Sequence, residues 1–141
     1  MVAGGLLWVD QSDSGAVVRI DPRTGRVRGD PIATGGALLT LAADRGKVWV
    51  VNAYSHRLVT IDAKTAQVIG DRPLPGVSGI ATSSGTVWTT FFTKGEVRGF
   101  DAGPGTSTGT PLRVRGGVDG IGARGDAVWV LGSTGVTHIT P

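Results

Sequence analysis

A chain of 141 residues with 40% hydrophobic content, 24 glycines and a formal charge of +3 is long enough for a core of its own and too apolar for wholesale disorder. Cysteine is absent, which excludes disulfide frameworks, thiol chemistry and cysteine-held zinc. Lys and Arg are strung along the whole length with Asp close by, and the densest group, Arg23, Arg26 and Arg28, is flanked by Asp21 and Asp30, so no nucleic-acid partner is expected.

The chain opens with an apolar stretch of about six residues ending at Val9, without a basic flank, too short for a signal peptide or a membrane span. The sequence therefore leaves the compartment open, an extracytoplasmic setting included. The first predicted strand, Leu6-Leu7-Trp8-Val9-Asp10, begins a repeat over about 5–35. It is followed by Ile20-Asp21-Pro22-Arg23-Thr24-Gly25, where Asp caps a type I turn, Pro presets φ and Gly takes the positive-φ position. Gly29 closes the unit.

A second repeat, about 36–75, carries Leu41, then Lys47-Val48-Trp49-Val50-Val51, then Ile61-Asp62 with a weaker copy of the turn, then Gly70. A third, about 76–115, reads as strands 77–82, 86–91, 96–100 and 109–114, with Ile80, Trp88, Phe100-Asp101 and Gly109 in register. The fourth, about 116–141, holds Ile121 and Trp129 and ends on Ile139-Thr140-Pro141, reached early because its hairpin is shorter.

Trp8, Trp49, Trp88 and Trp129 are 41, 39 and 41 residues apart, and Asp21, Asp62 and Asp101 each lie 13 residues after their tryptophan. A fixed period of this size decides the architecture. Four short strands per repeat of roughly 40 residues predict an all-β chain of about three and a half four-stranded antiparallel β-propeller blades. The repeated Trp are expected to pack between blades and the repeated Asp to bond turn amides, both as scaffold, since a residue needed once for chemistry is rarely needed in every repeat.

The blade phase opens in a second strand and stops after a third, giving about fourteen strands. Because this is not a whole number of blades, the reading predicts either further blades of a parent protein or self-association.

Gly-x-Val-Trp-Val, Ile20-Asp21-Pro22-Arg23-Thr24-Gly25 and Pro75-Gly76-Val77-Ser78-Gly79-Ile80-Ala81 resemble the bacterial YVTN-type and streptogramin-lyase-like propeller repeats, with kinship to PQQ-like and NHL-like repeats. The resemblance spans nearly the whole chain and implies a fold, because such repeats serve enzymes, sensors and interaction domains alike. The quinoprotein relatives place a docking tryptophan shortly after the turn, where this chain has Gly29, Gly70 and Gly109, so no cofactor is expected. The lyase relatives imply a histidine base and a metal held by acidic and histidine side chains. Here His56, His138 and Glu96 fall in no shared motif, and neither catalytic nor metal-binding residues are assigned.

In a propeller the second-to-third strand turns and the interblade links share one face. Along that face the repeats differ: Gln11 and Asp13; Asn52, Tyr54 and His56; Phe91, Phe92 and Lys94; and Arg113, Arg115 and Asp119 in a link. Variation on a fixed scaffold marks the candidate ligand-binding residues. His56 aligns with Gly15 and Gly95, a tight-turn position. His138 should sit on the face opposite Ile139. Of the Phe91-Phe92 pair, one should be exposed. The leading expectation is a non-catalytic binding, sensor or interaction module for a protein, peptide or small ligand. The alternatives are a streptogramin-lyase-like metal-dependent enzyme and a purely structural self-assembling unit.

Overall fold

Each repeat folds into one antiparallel sheet whose strands follow chain order, and the computed structural model, which describes residues 1–37, 40–103 and 106–140, contains four such sheets. They fall into two compact units, Met1–Pro75 and Gly76–Pro141. In the first unit, blade 1 is β1 (Val2–Ala3), β2 (Leu6–Gln11), β3 (Ala16–Ile20) and β4 (Ile32–Ala33), and blade 2 is β5 (Thr40–Asp44), β6 (Lys47–Asn52), β7 (Arg57–Asp62) and β8 (Val68–Pro73). In the second, blade 3 is β9 (Gly79–Ser83), β10 (Thr86–Phe91), β11 (Glu96–Asp101) and β12 (Leu112–Arg113). Blade 4 is β13 (Gly120–Arg124), β14 (Ala127–Gly132) and β15 (Gly135–Ile139). The one helical element among the described residues is a single 3-10 turn, Phe92–Lys94.

The first blade corrects the expectation that the chain opens in a second strand. Val2 and Ala3 pair with Leu7 and Leu6, so blade 1 has four strands and the described residues hold fifteen. A two-residue strand is too short to show alternation in sequence; its signal was Gly4-Gly5, whose φ values of 57° and 76° form the tight reversal that a hairpin needs. Of the Ile139-Thr140-Pro141 match in the last repeat, Pro141 lies outside the described residues.

The predicted strand 109–114 shrinks to Leu112–Arg113, and the cause is proline. In blade 2, Asp71 pairs with Val59 and the outer strand runs six residues. The same position is Pro31 in blade 1 and Pro111 in blade 3, and proline has no N–H to give to a ladder. Those two outer strands are therefore two residues long, and the pairing resumes beyond them only as the isolated bridges Ile20↔Val27 and Phe100↔Ser107.

An apolar cluster in each unit is built by the same rule. In the first, Trp8 packs with Val17 and Ile32 of its own blade and with Val48, Val50, Val59 and Ile61 of blade 2. In the second, Trp88 and Val97 pack with Val128 and Val130 of blade 4. The tryptophan face of one blade thus receives the opposite face of the next, on which the two residues flanking that blade's own tryptophan project. Trp129 departs from the pattern: it occupies the same place in its second strand yet is 40% exposed, so its predicted packing between blades is not made among the described residues.

Candidate functional site

The variable turns are positioned by hydrogen bonds from the interblade links. In the first unit, Thr34 donates its hydroxyl to the Gly15 carbonyl at 3.0 Å. Asn52 is fully buried; its Nδ2 donates to the Thr34 carbonyl at 3.4 Å and its Oδ1 accepts the Ser55 amide at 3.1 Å. This candidate therefore holds the β6–β7 turn to the link, while Tyr54, 80% exposed, and the exposed His56 project from that turn. His56 has φ 53°, beside 63° for Gly15 and 60° for Gly95, so the tight-turn alignment read from sequence is a left-handed position in all three repeats. At the matching turn of blade 1, Asp10, Gln11, Ser12, Asp13 and Ser14 line an open depression of about 430 Å³.

In the second unit the 3-10 turn is anchored by Ser78, whose Oγ accepts the Phe92 amide at 3.0 Å and donates to the Thr90 carbonyl at 3.1 Å. The Phe91-Phe92 pair splits as alternation predicts: Phe91 is 1% exposed and Phe92 60%. The Arg98 guanidinium lies 4.4 Å from the centre of the Phe91 ring, a cation–π contact. Arg98 also donates to Glu96 Oε2 at 2.9 Å, and Arg113, opposite Glu96 in the ladder, approaches Oε1 at 3.8 Å. The Arg98 hydrogen bond, with the charges of Arg98, Arg113 and Lys94, holds the Glu96 carboxyl below its ordinary value near 4.5.

Three cations thus surround one carboxylate, leaving a local excess of positive charge beside an exposed aromatic ring. Arg115 and Asp119 lie exposed on the following link. Glu96 and Arg98 were not among the candidates read from the sequence. Their signal was the chain's lone glutamate two residues before an arginine in a strand, a spacing that places both on one face.

At the opposite turns, the repeated aspartates are occupied in holding backbone. Asp21 accepts the Arg23 amide at 2.9 Å, Asp62 accepts those of Lys64 and Thr65 at 2.9 and 2.7 Å, and Asp101 accepts that of Gly103 at 2.6 Å. His138 is exposed, and its ring stacks on Trp129 with centroids 5.6 Å apart. Among the described residues no three His, Cys, Asp or Glu side chains are grouped to hold a metal ion, and no helix is long and apolar enough to cross a membrane.

Antiparallel sheets of four or three strands in chain order, packed face on face within each unit, define the chain's class: all-β, of β-propeller blades. Hydrazine synthase of Kuenenia stuttgartiensis is similar to it at a TM-score of 0.80 and 19% identity over 97% of this chain and 43% of that one. The computationally designed Ika4 protein is similar at 0.77 and 14% over 99% and 87%, and virginiamycin B lyase from Staphylococcus aureus at 0.70 and 14% over 100% and 54%. The chain thus spans about half the length of the two natural proteins. No family model and no curated protein matches its sequence.

Proposed function

We propose that the chain is a non-catalytic propeller module that binds an acidic, partly apolar segment of a protein partner on the surface formed by Phe92, Lys94, Arg113 and Arg115. The observation that carries this reading is Phe92, 60% exposed on a turn that Ser78 fixes from below, with Lys94 in the same turn. Large rings held rigidly in the open, next to cations, are the usual anchors of an interface. Arg113, whose side chain is 85% exposed, is free to reach an incoming carboxylate, since its approach to Glu96 is long. Tyr54 and His56 offer a second exposed aromatic surface in the first unit, supported from inside by Asn52.

The test is a titration of a fluorescent peptide containing glutamates and one aromatic residue, followed by anisotropy, against the same peptide with lysines in place of the glutamates. Phe92→Ala and Arg113→Ala should each weaken binding of the acidic peptide by roughly tenfold or more, and added salt should weaken it further. Equal binding of both peptides, or affinity unchanged in both variants, would rule the reading out.

A further inference from the structure

The outer face of blade 4 is apolar and, among the described residues, uncovered. Trp129, Leu131, Val136 and His138 share it, because Trp129 pairs with His138 and Leu131 with Val136 across β14 and β15. Trp129, Leu131 and Val136 are 40%, 51% and 64% exposed. What covers such a face is visible twice in this chain. Over Trp8 lie Val48 and Val50 of β6 with Val59 and Ile61 of β7; over Trp88 lie Val128 and Val130 of β14, with Ile139 of β15 packed at their edge. In both, the cover is the face of a blade opposite its own tryptophan, with apolar residues on either side of that tryptophan.

Blade 1 carries the same set. Leu7 and Val9 flank Trp8 in β2, and they pair with Ile20 and Val18 in β3, just as Val48 and Val50 pair with Ile61 and Val59. Where a blade lies over another tryptophan, Val48, Val50 and Ile61 are wholly buried. Leu7, Val9 and Ile20 are only partly so. Val18, the fourth member, is buried at 7%; among the described residues the other three lack the full burial that their counterparts in blade 2 have, so one chain carries both halves of an interblade contact.

We propose that the Trp129 face of blade 4 docks the Leu7–Val9 face of blade 1 in a second copy of this chain, and that the reciprocal contact closes the pair. The occupant is a second copy because the complementary surface is present on the chain itself, in the register that the Trp8 contact uses. A pair related by a twofold axis makes this contact twice and leaves neither face open, whereas a head-to-tail series that failed to close would run on past two chains. This inference does not depend on the Phe92 surface, whose turn belongs to blade 3.

The experiment is the mass of the 141-residue chain by light scattering after size exclusion, over roughly a hundredfold range of concentration, since dimers dissociate by mass action. The expected result is a species of twice 14.4 kDa that Leu131→Arg and Val9→Arg each convert to monomer, raising the dimer dissociation constant by roughly a hundredfold or more, with the circular dichroism unchanged. Val136→Arg, on the most exposed of these positions, serves should Leu131→Arg fail to fold. A monomer throughout, an assembly indifferent to these substitutions, or one lost only with the blade 4 variants would overturn the proposal.

Discussion

Arg28 donates to Asp21 Oδ2 at 2.7 Å while the other carboxylate oxygen of Asp21 accepts the Arg23 amide, so a single side chain ties the turn of the first repeat to the residues leaving it. The Arg28 hydrogen bond and the amide bonds hold Asp21 below its ordinary value near 3.8. Asp62 is lowered chiefly by the Thr65 amide and hydroxyl, and Glu96 chiefly by Arg98. A carboxyl lowered in the folded state stabilises it fully above the unfolded pKa, and that contribution is lost as pH falls through the folded value. Urea midpoints should therefore hold level above about pH 5 and decline below about pH 4.5. Asp21→Asn should make the decline shallower; an acid branch identical to that of the parent would show that Asp21 contributes nothing to it.

Gly15 and Gly25 both adopt left-handed backbone, with φ of 63° and 68°, yet they differ in surroundings. A Cβ on Gly15 would stand 2.7 Å from the Gly36 nitrogen, whereas one on Gly25 meets nothing within 4 Å. Gly25→Ala should cost about 1 kcal/mol from backbone strain alone. Gly15→Ala should cost about 2–4 kcal/mol, because backbone of the link must move as well. Chemical denaturation of the two variants gives the comparison, and equal costs would mean the link yields freely.

Asn52→Ala removes the side-chain partner of the buried Thr34 carbonyl and of the amide of Ser55. The expected loss is about 1–3 kcal/mol. Amide exchange should also quicken at Ser55, whose amide donates to the Asn52 side chain, and unchanged protection there would refute the assignment.

Trp8 and Trp129 hold one position in their repeats but different surroundings. Trp8→Ala should destabilise the chain by about 3–5 kcal/mol, as truncation of a buried tryptophan does. Trp129→Ala, measured at a concentration where the chain is monomeric, should cost less than about 1 kcal/mol. Comparable losses would mean that Trp129 is already covered within one chain.

Much of this is legible in the sequence, for a physical reason. An interblade tryptophan and a turn aspartate are demanded by every blade, so a 39 to 41 residue spacing repeats the demand until it is unmistakable. Left-handed turns were equally visible, since Gly15 and Gly95 aligned with His56. What repetition could not mark was the singular: β1 was too short to alternate, and Pro31 and Pro111 read as ordinary turn residues until their partner positions were known. The Glu96, Arg98 and Arg113 cluster draws on two strands, and only their pairing brings the third member in.

The sequence by itself determined that the chain is made of blades, where each tryptophan strand lies and which turns vary, because these follow from local alternation and turn chemistry. Tertiary structure decided what each repeated residue touches. Four tryptophans are interchangeable in sequence, yet burial depends on whether another blade lies over the sheet. Trp8 and Trp88 have that cover, and among the described residues Trp129 does not. Likewise alternation said that one of two adjacent phenylalanines should be exposed, and only the structure showed which: Phe91 ends the strand in the core, and Phe92 opens the turn that Ser78 holds.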